Sequence, residues 1–149
     1  MRSMARFVGV AVGLCVAAGL FVSPASGQDA GAIVAWGYNH DGQCNVPAPN
    51  SGFVGVAGSG HSLGLKADGS IVVWGCYDYG QCDIPAPNSG FVAVAAGGDI
   101  ANGSYSLGLK ADGSIVAWGY NDYGQCNVPS PNTGFVAIAA ADAHSLGLK

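Results

Sequence analysis

Short apolar runs alternate with polar breaks along most of the chain. The runs are rich in Val, Ile, Phe and Trp, and Gly, Pro, Asn and Asp separate them. The first group favours strands and the second favours turns, and no stretch shows helical periodicity. In the central part the pattern predicts four short strands, at Phe91–Ala95, Ser106–Lys110, Ile115–Trp118 and roughly Gln125–Val128. The pattern therefore indicates an all-β fold.

The apolar runs belong to a repeated unit. The sequence Ser-Leu-Gly-Leu-Lys occurs three times, and a Trp-Gly pair followed by Gly-Gln-Cys also occurs three times. The tryptophans are Trp36, Trp74 and Trp118, with spacings of 38 and 44 residues. Self-similarity at such a period indicates a repeat architecture. We place the repeats at approximately 32–70, 71–114 and 115–149, within a region that starts at residue 28.

The repeated unit resembles a known family. The strings F-V-A-V-A-A-G, H-S-L-G-L-K-A-D-G-S-I-V-A-W-G and N-x-x-G-Q resemble the regulator-of-chromosome-condensation repeat, from Ala32 to Lys149. The resemblance implies a β-propeller, normally of seven blades, of which this chain would form a partial ring of about three. The variant W-G-Y-N..G-Q-C-N-V-P.P is similar to secreted bacterial members, which include a protein inhibitor of β-lactamases. The resemblance implies a fold more than a function, because propellers host many functions.

Residues 1–27 have the pattern of a secretory signal peptide. Arg2 and Arg6 precede an uncharged run of 16 residues, Phe7–Val22, and Ala25-Ser26-Gly27 offers a cleavage site. The run is shorter than the roughly 20 apolar residues of a membrane span. An uncleaved anchor is the alternative. We expect a mature chain that starts near Gln28 and is secreted, periplasmic or on the cell surface, with no membrane segment after cleavage.

Charge narrows the classes of partner. Beyond residue 27 the chain has three lysines, nine aspartates and neither arginine nor glutamate, a formal net charge of −6. Nucleic-acid binding needs clustered Lys and Arg to neutralise phosphates. We therefore expect no nucleic-acid partner, and a chromatin role is excluded for the same reason.

The loops of each repeat fall into two groups. Chain direction reverses at each strand, so the first and third loops of every repeat share one face, and these are the loops that vary. Tyr and Asp collect in them, and Tyr is a favoured interface anchor. Unconstrained drift of the loops is the alternative explanation. The candidate partner-binding residues are Tyr38, His40, Tyr77, Asp78, Tyr79, Asp99, Tyr105, Asp122 and Tyr123.

Four cysteines lie in the repeats. Cys44, Cys82 and Cys126 share one repeat position, and Cys76 is the odd one. Cys76 and Cys82 flank one turn and could form a disulfide, which an exported chain allows. Alternatively, all four are small buried thiols. A zinc site is disfavoured, because the Cys-x5-Cys spacing matches no usual metal pattern.

The sequence shows no catalytic constellation. His61 and His144 share a repeat position, where Tyr105 replaces them in the middle repeat, and this indicates structural side chains. Catalysis needs a base, an orienting group and a pocket that converge. We therefore predict a non-catalytic binding or scaffold module for a protein partner, with no cofactor and no metal. The alternatives are an inhibitor of a secreted enzyme such as a β-lactamase, and an extracellular hydrolase or lyase.

The first and last repeats are incomplete. The chain enters the first repeat at its third strand, Ile33–Trp36, and its last predicted strand is Ser145–Lys149. We expect either a fragment of a longer repeat array or chains that associate through unpaired strand edges. In the second case the Ile33 strand of one chain would pair with the Ser145–Lys149 strand of another. Two chains could then close a six-bladed ring.

Overall fold

A computed structural model describes residues 30–76, 79–99 and 103–149. The predicted signal peptide, Tyr77 and Asp78 lie outside the described residues. The described part is all β and contains no helix. Its eight strands are β1 (Phe53–Gly58), β2 (Ser62–Lys66), β3 (Ile71–Trp74), β4 (Phe91–Asp99), β5 (Gly103–Lys110), β6 (Ile115–Gly119), β7 (Ala137–Ala140) and β8 (Ser145–Leu148).

The strands form three small antiparallel sheets, which follow one another along the chain. Their orders are β1-β2-β3, β4-β5-β6 and β7-β8. The Ala-Asp-Gly-Ser turn between the second and third strands is fixed by its aspartate. Asp68 Oδ1 accepts hydrogen bonds from the backbone N–H (2.9 Å) and the hydroxyl (2.7 Å) of Ser70. Asp112 and Ser114 make the same turn in the second sheet.

The sheets pack face to face, as blades of a partial propeller. The innermost strands β1, β4 and β7 lie next to one another in that order. One apolar cluster fills the space between the first and second sheets, and it includes Leu63, Ile71, Phe91 and Trp118. A second apolar cluster, which includes Leu107, fills the space between the second and third sheets. The core is therefore made of contacts between neighbouring repeats.

The predicted fourth strand, Gln125–Val128, is wrong. The backbone there makes tight turns instead, with Asn127 N–H donating to Gly124 O (3.0 Å) and Val128 N–H to Cys126 O (3.0 Å). The outer edge of β6 is paired by a side chain. Asn132 Oδ1 accepts from Ile115 N–H (2.8 Å), and Asn132 Nδ2 donates to Ile115 O (2.8 Å). The side-chain amide of Asn132 thus makes the two backbone hydrogen bonds that a residue of a neighbouring strand would make with Ile115.

The segment Ile33–Trp36 was predicted as a strand, and this is also wrong. Its equivalents β3 and β6 pair with β2 and β5. No described strand lies beside residues 33–36, so their ladder hydrogen bonds are not made. The Asn50 side chain still pairs with Ile33, accepting from its N–H (2.7 Å) and donating to its carbonyl (2.8 Å). One bridge, between Gly31 and Phe53, joins this region to β1.

Candidate interaction face

The loops that vary between repeats lie on one face of the structure. Beside the second sheet, Tyr120 N–H donates to Ser104 O (3.0 Å), and the Tyr120 ring packs where a side chain on Gly103 would be. Between repeats, Gly98 N–H donates to Ala141 O (3.0 Å). We call this surface the variable face. Its described loops are residues 38–41, 58–61, 79–80, 120–123 and 141–144.

Three tyrosines form a contiguous cluster on the variable face. The ring centroids of Tyr79 and Tyr120 are 5.4 Å apart, and those of Tyr120 and Tyr123 are 6.1 Å apart. Both pairs have edge-to-face geometry, which favours aromatic contact. Tyr79 is 38% exposed and Tyr123 is 70% exposed. This tyrosine cluster spans two neighbouring repeats, because Tyr79 follows β3 and the other two follow β6.

Tyr120 was absent from the predicted set. It lies at the repeat position of Tyr38, which was predicted, so repeat alignment was the signal that could have found it. Partial burial raises the pKa of the Tyr120 phenol, and so does its hydrogen bond to the Asp122 carboxylate. The phenol therefore stays neutral, and the hydrogen bond ties Asp122 to the cluster.

Buried glutamines hold the exposed tyrosines. Gln81 Oε1 accepts from Tyr79 N–H (3.0 Å), and Gln125 Oε1 accepts from Tyr123 N–H (3.0 Å). Both glutamines are buried. The glycine between each tyrosine and its glutamine has a positive φ, for example 79° at Gly124, which a side chain would strain. The Gly-Gln pair of each repeat thus fixes the position of the aromatic loop.

The first repeat carries a smaller aromatic site on its third loop. The rings of Tyr38 and His40 stack at 6.2 Å. His40 Nδ1 lies 2.9 Å from Asp41 Oδ1, and this carboxylate was absent from the predicted set. Tyr38 and His40 are exposed, and their contact with a partner stays a prediction.

The predicted role of Tyr105 is corrected by its burial. Tyr105 is 0% exposed, and its hydroxyl donates to His144 O (2.6 Å) and lies 3.0 Å from Ala141 O. It cannot touch a partner. The reason is that β4 and β5 extend further than predicted, so Tyr105 lies within β5, opposite Gly97. Asp99 lies at the end of β4 and is half-buried.

The cysteines close the third loops. Cys76 and Cys82 form a disulfide, with their Cα atoms 6.0 Å apart. Cys44 and Cys126 are free, and their thiols donate to Tyr38 O and Tyr120 O, each at 3.4 Å. Burial raises the pKa of the Cys126 thiol to about 11, so this thiol stays protonated. The sequence left open a disulfide or four buried thiols, and the structure has the disulfide with two half-buried free thiols.

Paired asparagines close the same loops where no disulfide does. Asn121 Nδ2 donates to Asn127 Oδ1 (2.9 Å), and Asn39 and Asn45 make the same bond (2.9 Å). The middle repeat has Tyr77 and Asp83 at these positions. The disulfide is therefore found in the one repeat that lacks both asparagines.

All three lysines of the repeats are engaged away from the variable face. The Nζ atoms lie over aromatic rings, at 3.6 Å for Lys66 over Phe53, 3.6 Å for Lys110 over Phe91, and 4.4 Å for Lys149 over Phe135. Each amine also donates to carbonyls of the proline-rich link, as Lys110 does to Pro87 O (3.1 Å). The variable face therefore has aspartates and no lysine or arginine.

The family comparison agrees with this architecture. The model of the Regulator of chromosome condensation (RCC1) repeat matches residues 56–81 and 91–125. These segments are RCC1-type repeats. They contain β1 to β6, except for the start of β1, and the three residues of the tyrosine cluster with the Gly-Gln pairs that follow them. No curated protein is significantly similar to the chain.

The RCC1-type repeats also contain a buried His–Ser pair. His61 Nε2 lies 2.7 Å from Ser106 Oγ, and both side chains are fully buried. Burial lowers the pKa of His61 from 6.5 to about 4, and His61 Nδ1 has no hydrogen-bond partner. The pair therefore joins β5 to the loop between β1 and β2, in the interior of the fold.

Within residues 30–76, 79–99 and 103–149, no group of three or more His, Cys, Asp or Glu side chains could hold a metal ion. In the same residues no helix has the length and apolar character needed to cross a membrane.

Proposed function

We propose that this chain is a secreted, non-catalytic binding module that captures a protein partner on its variable face. The observation that carries the proposal is the tyrosine cluster. Its rings form one exposed aromatic patch across two repeats, and buried glutamines hold the patch in place. Rigid, exposed tyrosines are typical anchors of protein interfaces, because they bury a large area at a low cost in side-chain entropy.

Charge indicates the chemistry of the partner. The variable face has Asp122 beside the tyrosines and no cationic side chain, and residues beyond 27 have a net charge of −6. Tyrosine faces attract the cations of Lys and Arg, and carboxylates pair with them. We therefore expect a basic protein surface as the partner. We expect no nucleic-acid partner, since the lysine amines are engaged within the fold.

Inhibition of a secreted enzyme such as a β-lactamase is a narrower form of the same proposal. It is supported by the likeness of W-G-Y-N..G-Q-C-N-V-P.P to secreted bacterial repeat proteins. A partner enzyme would be blocked if its active-site rim supplied the basic surface. An activity assay of β-lactamase with added protein therefore belongs in the same experiment.

The test uses the mature chain immobilised on a surface and a panel of purified extracellular proteins, basic and acidic, with a β-lactamase among them. The wild type should retain basic members, with binding that weakens at high salt because exposed charges are screened. The double variant Tyr79→Ala/Tyr123→Ala should lose about 2 kcal/mol or more of binding free energy.

The matched control is Asp112→Asn, on the opposite face. It keeps the oxygen that accepts from Ser114, so the turn is preserved. This variant should bind as the wild type does. Equal binding by the tyrosine variant, or a greater loss in Asp112→Asn, would contradict the proposal.

A further inference from the structure

Two of the three repeat tryptophans join neighbouring repeats. Trp74 Nε1 donates to the backbone carbonyl of Gln43 (2.9 Å), and Trp118 Nε1 donates to that of Gln81 (2.8 Å). Each glutamine belongs to the Gly-Gln-Cys loop of the preceding repeat. The two tryptophans are 8% and 6% exposed. We call this contact between neighbouring repeats the joint. Its donor side is the segment that ends in the tryptophan, and its acceptor side is the loop with the glutamine carbonyl.

The first tryptophan segment is an uncovered donor side. Trp36 is 84% exposed, and Val34 in the same segment is also largely exposed. Ile33 is nevertheless held by Asn50 in the same way that Ile71 is held by Asn88. The outer edge of the segment is thus paired, and its other edge is open to a strand.

The last repeat has an uncovered acceptor side. The backbone carbonyl of Gln125 accepts from Ser145 Oγ (2.7 Å), as the Gln43 carbonyl accepts from Ser62 Oγ (2.8 Å), but no tryptophan of the described residues donates to it. The side-chain Nε2 of Gln125 is buried without a hydrogen-bond partner. The residues around it line a cleft of about 300 Å³ that includes Phe135, Ser145 and Leu146.

The edge of β8 beside this cleft is unpaired in the described structure. Its equivalents β2 and β5 each pair with two strands, whereas β8 pairs with β7 alone. Leu146 and Leu148 on β8 are exposed. An unpaired edge with exposed apolar side chains is a template for another strand.

We infer that the cleft beside β8 binds the segment Ile33–Trp36 of a second copy of this chain. The register follows from the two joints already present. Ser62 is opposite Trp74 and Ser106 is opposite Trp118, so Ser145 would lie opposite Trp36 of the second copy. Leu148 would lie opposite Ile33. In this register the Trp36 indole reaches the Gln125 carbonyl as the other two tryptophans reach theirs.

The two uncovered surfaces favour a second copy of this chain as the occupant. The chain already forms two such interfaces between its own repeats. The proposed interface between copies would have the same residue types on both sides. Both surfaces are uncharged and exposed, and both belong to one chain. The contact is head-to-tail, so each copy uses its donor side on one neighbour and its acceptor side on another.

The test is complementation between two variants of the mature chain, measured by sedimentation. Trp36→Ala lacks the donor side, and Leu146→Asp lacks the acceptor side. The wild type should associate as its concentration rises, and each variant alone should associate about 30-fold or more weakly, the loss typical of an interface anchor. Mixed together, the variants should form a 1:1 complex, since each supplies the side that the other lacks.

Tyr38→Ala is the matched control, because it removes an exposed aromatic side chain near Trp36 but outside the joint. It should associate as the wild type does. Circular dichroism of each variant checks its fold, and a peptide of residues 31–38 should compete where a scrambled peptide does not. A wild type that stays monomeric at all concentrations, or variants that form no 1:1 complex while folded, would overturn the inference.

Discussion

The side-chain amide of Asn88 hydrogen-bonds both backbone groups of Ile71, accepting from its N–H (2.8 Å) and donating to its carbonyl (2.8 Å). The same relationship joins Asn50 to Ile33 and Asn132 to Ile115. Each blade thus uses one side chain, carried by the proline-rich link, to pair the outer edge of its third strand.

We expect Asn88→Ala to destabilise the fold by about 1–3 kcal/mol, because the partly buried backbone groups of Ile71 lose their partner. Urea unfolding measures the change. Asn88→Asp keeps the acceptor and loses the donor, so it should fall between the alanine variant and the wild type above pH 6. An unchanged unfolding midpoint in Asn88→Ala would show that water replaces the amide at no cost.

The disulfide Cys76–Cys82 is expected to stabilise the middle repeat by about 2 kcal/mol, the value that chain entropy gives for a short closed loop. Dithiothreitol should therefore lower the urea midpoint of the wild type and leave that of Cys76→Ser/Cys82→Ser unchanged.

A variant in which the disulfide loop takes the sequence of a loop without a disulfide provides a matched comparison for the role of the disulfide. The triple change Cys76→Tyr, Tyr77→Asn and Asp83→Asn turns residues 76–83 into the sequence found at 120–127. Because the Asn pair closes that loop without a disulfide, we expect a folded protein that does not respond to dithiothreitol. A converted loop that unfolds as readily as the double serine variant would contradict this equivalence.

Acid should weaken the fold through His61. Burial lowers the pKa of His61 from 6.5 to about 4. Between these pH values the unfolded chain binds a proton that the folded chain does not, so stability falls as pH falls from about 6.5 to about 4. The loss attributable to His61 reaches about 3 kcal/mol.

Urea midpoints at pH 7.5, 5.5 and 4.5 test this expectation. His61→Gln removes the titrating group, so its midpoint should change less between these pH values than that of the wild type. His144→Gln is the matched control, because His144 has the same repeat position but is exposed. If His61→Gln loses as much stability in acid as the wild type, another group is responsible.

The sequence predicted the existence of all three strands of the second sheet, because apolar and β-branched runs at Phe91, Ser106 and Ile115 coincide with β4, β5 and β6. The observed β4 and β5 are longer than predicted. The prediction failed for Gln125–Val128, where an amide from Asn132 replaces a strand. Strand propensity depends on neighbouring residues in the sequence, so it does not reveal a hydrogen-bonded pair between residues far apart in the chain. Repeat alignment alone also misplaced Ile33–Trp36, because a strand needs a neighbour as well as a suitable sequence.

The variable face was predicted in part. The hydrogen bond from Tyr120 N–H to Ser104 O brings a first loop and a third loop together beside the second sheet. The prediction for Tyr105 was wrong, because the hairpin between β4 and β5 is longer than in the other repeats and takes this residue into a strand. Contacts between repeats, such as that of Tyr79 with Tyr120, depend on how sheets pack, which the repeat pattern does not specify.

The engagement of the lysines has a consequence for resistance to proteolysis. Proteases of the trypsin type cut after Lys or Arg, and residues 28–149 offer them only lysines. The Lys66 and Lys110 amines lie over phenylalanine rings and donate to link carbonyls, so a protease could not take either side chain into its specificity pocket without first opening a blade. Cleavage after these lysines is then limited by the rate of local unfolding. A fold that uses its few cations internally is thereby shielded from one whole class of digestive enzyme.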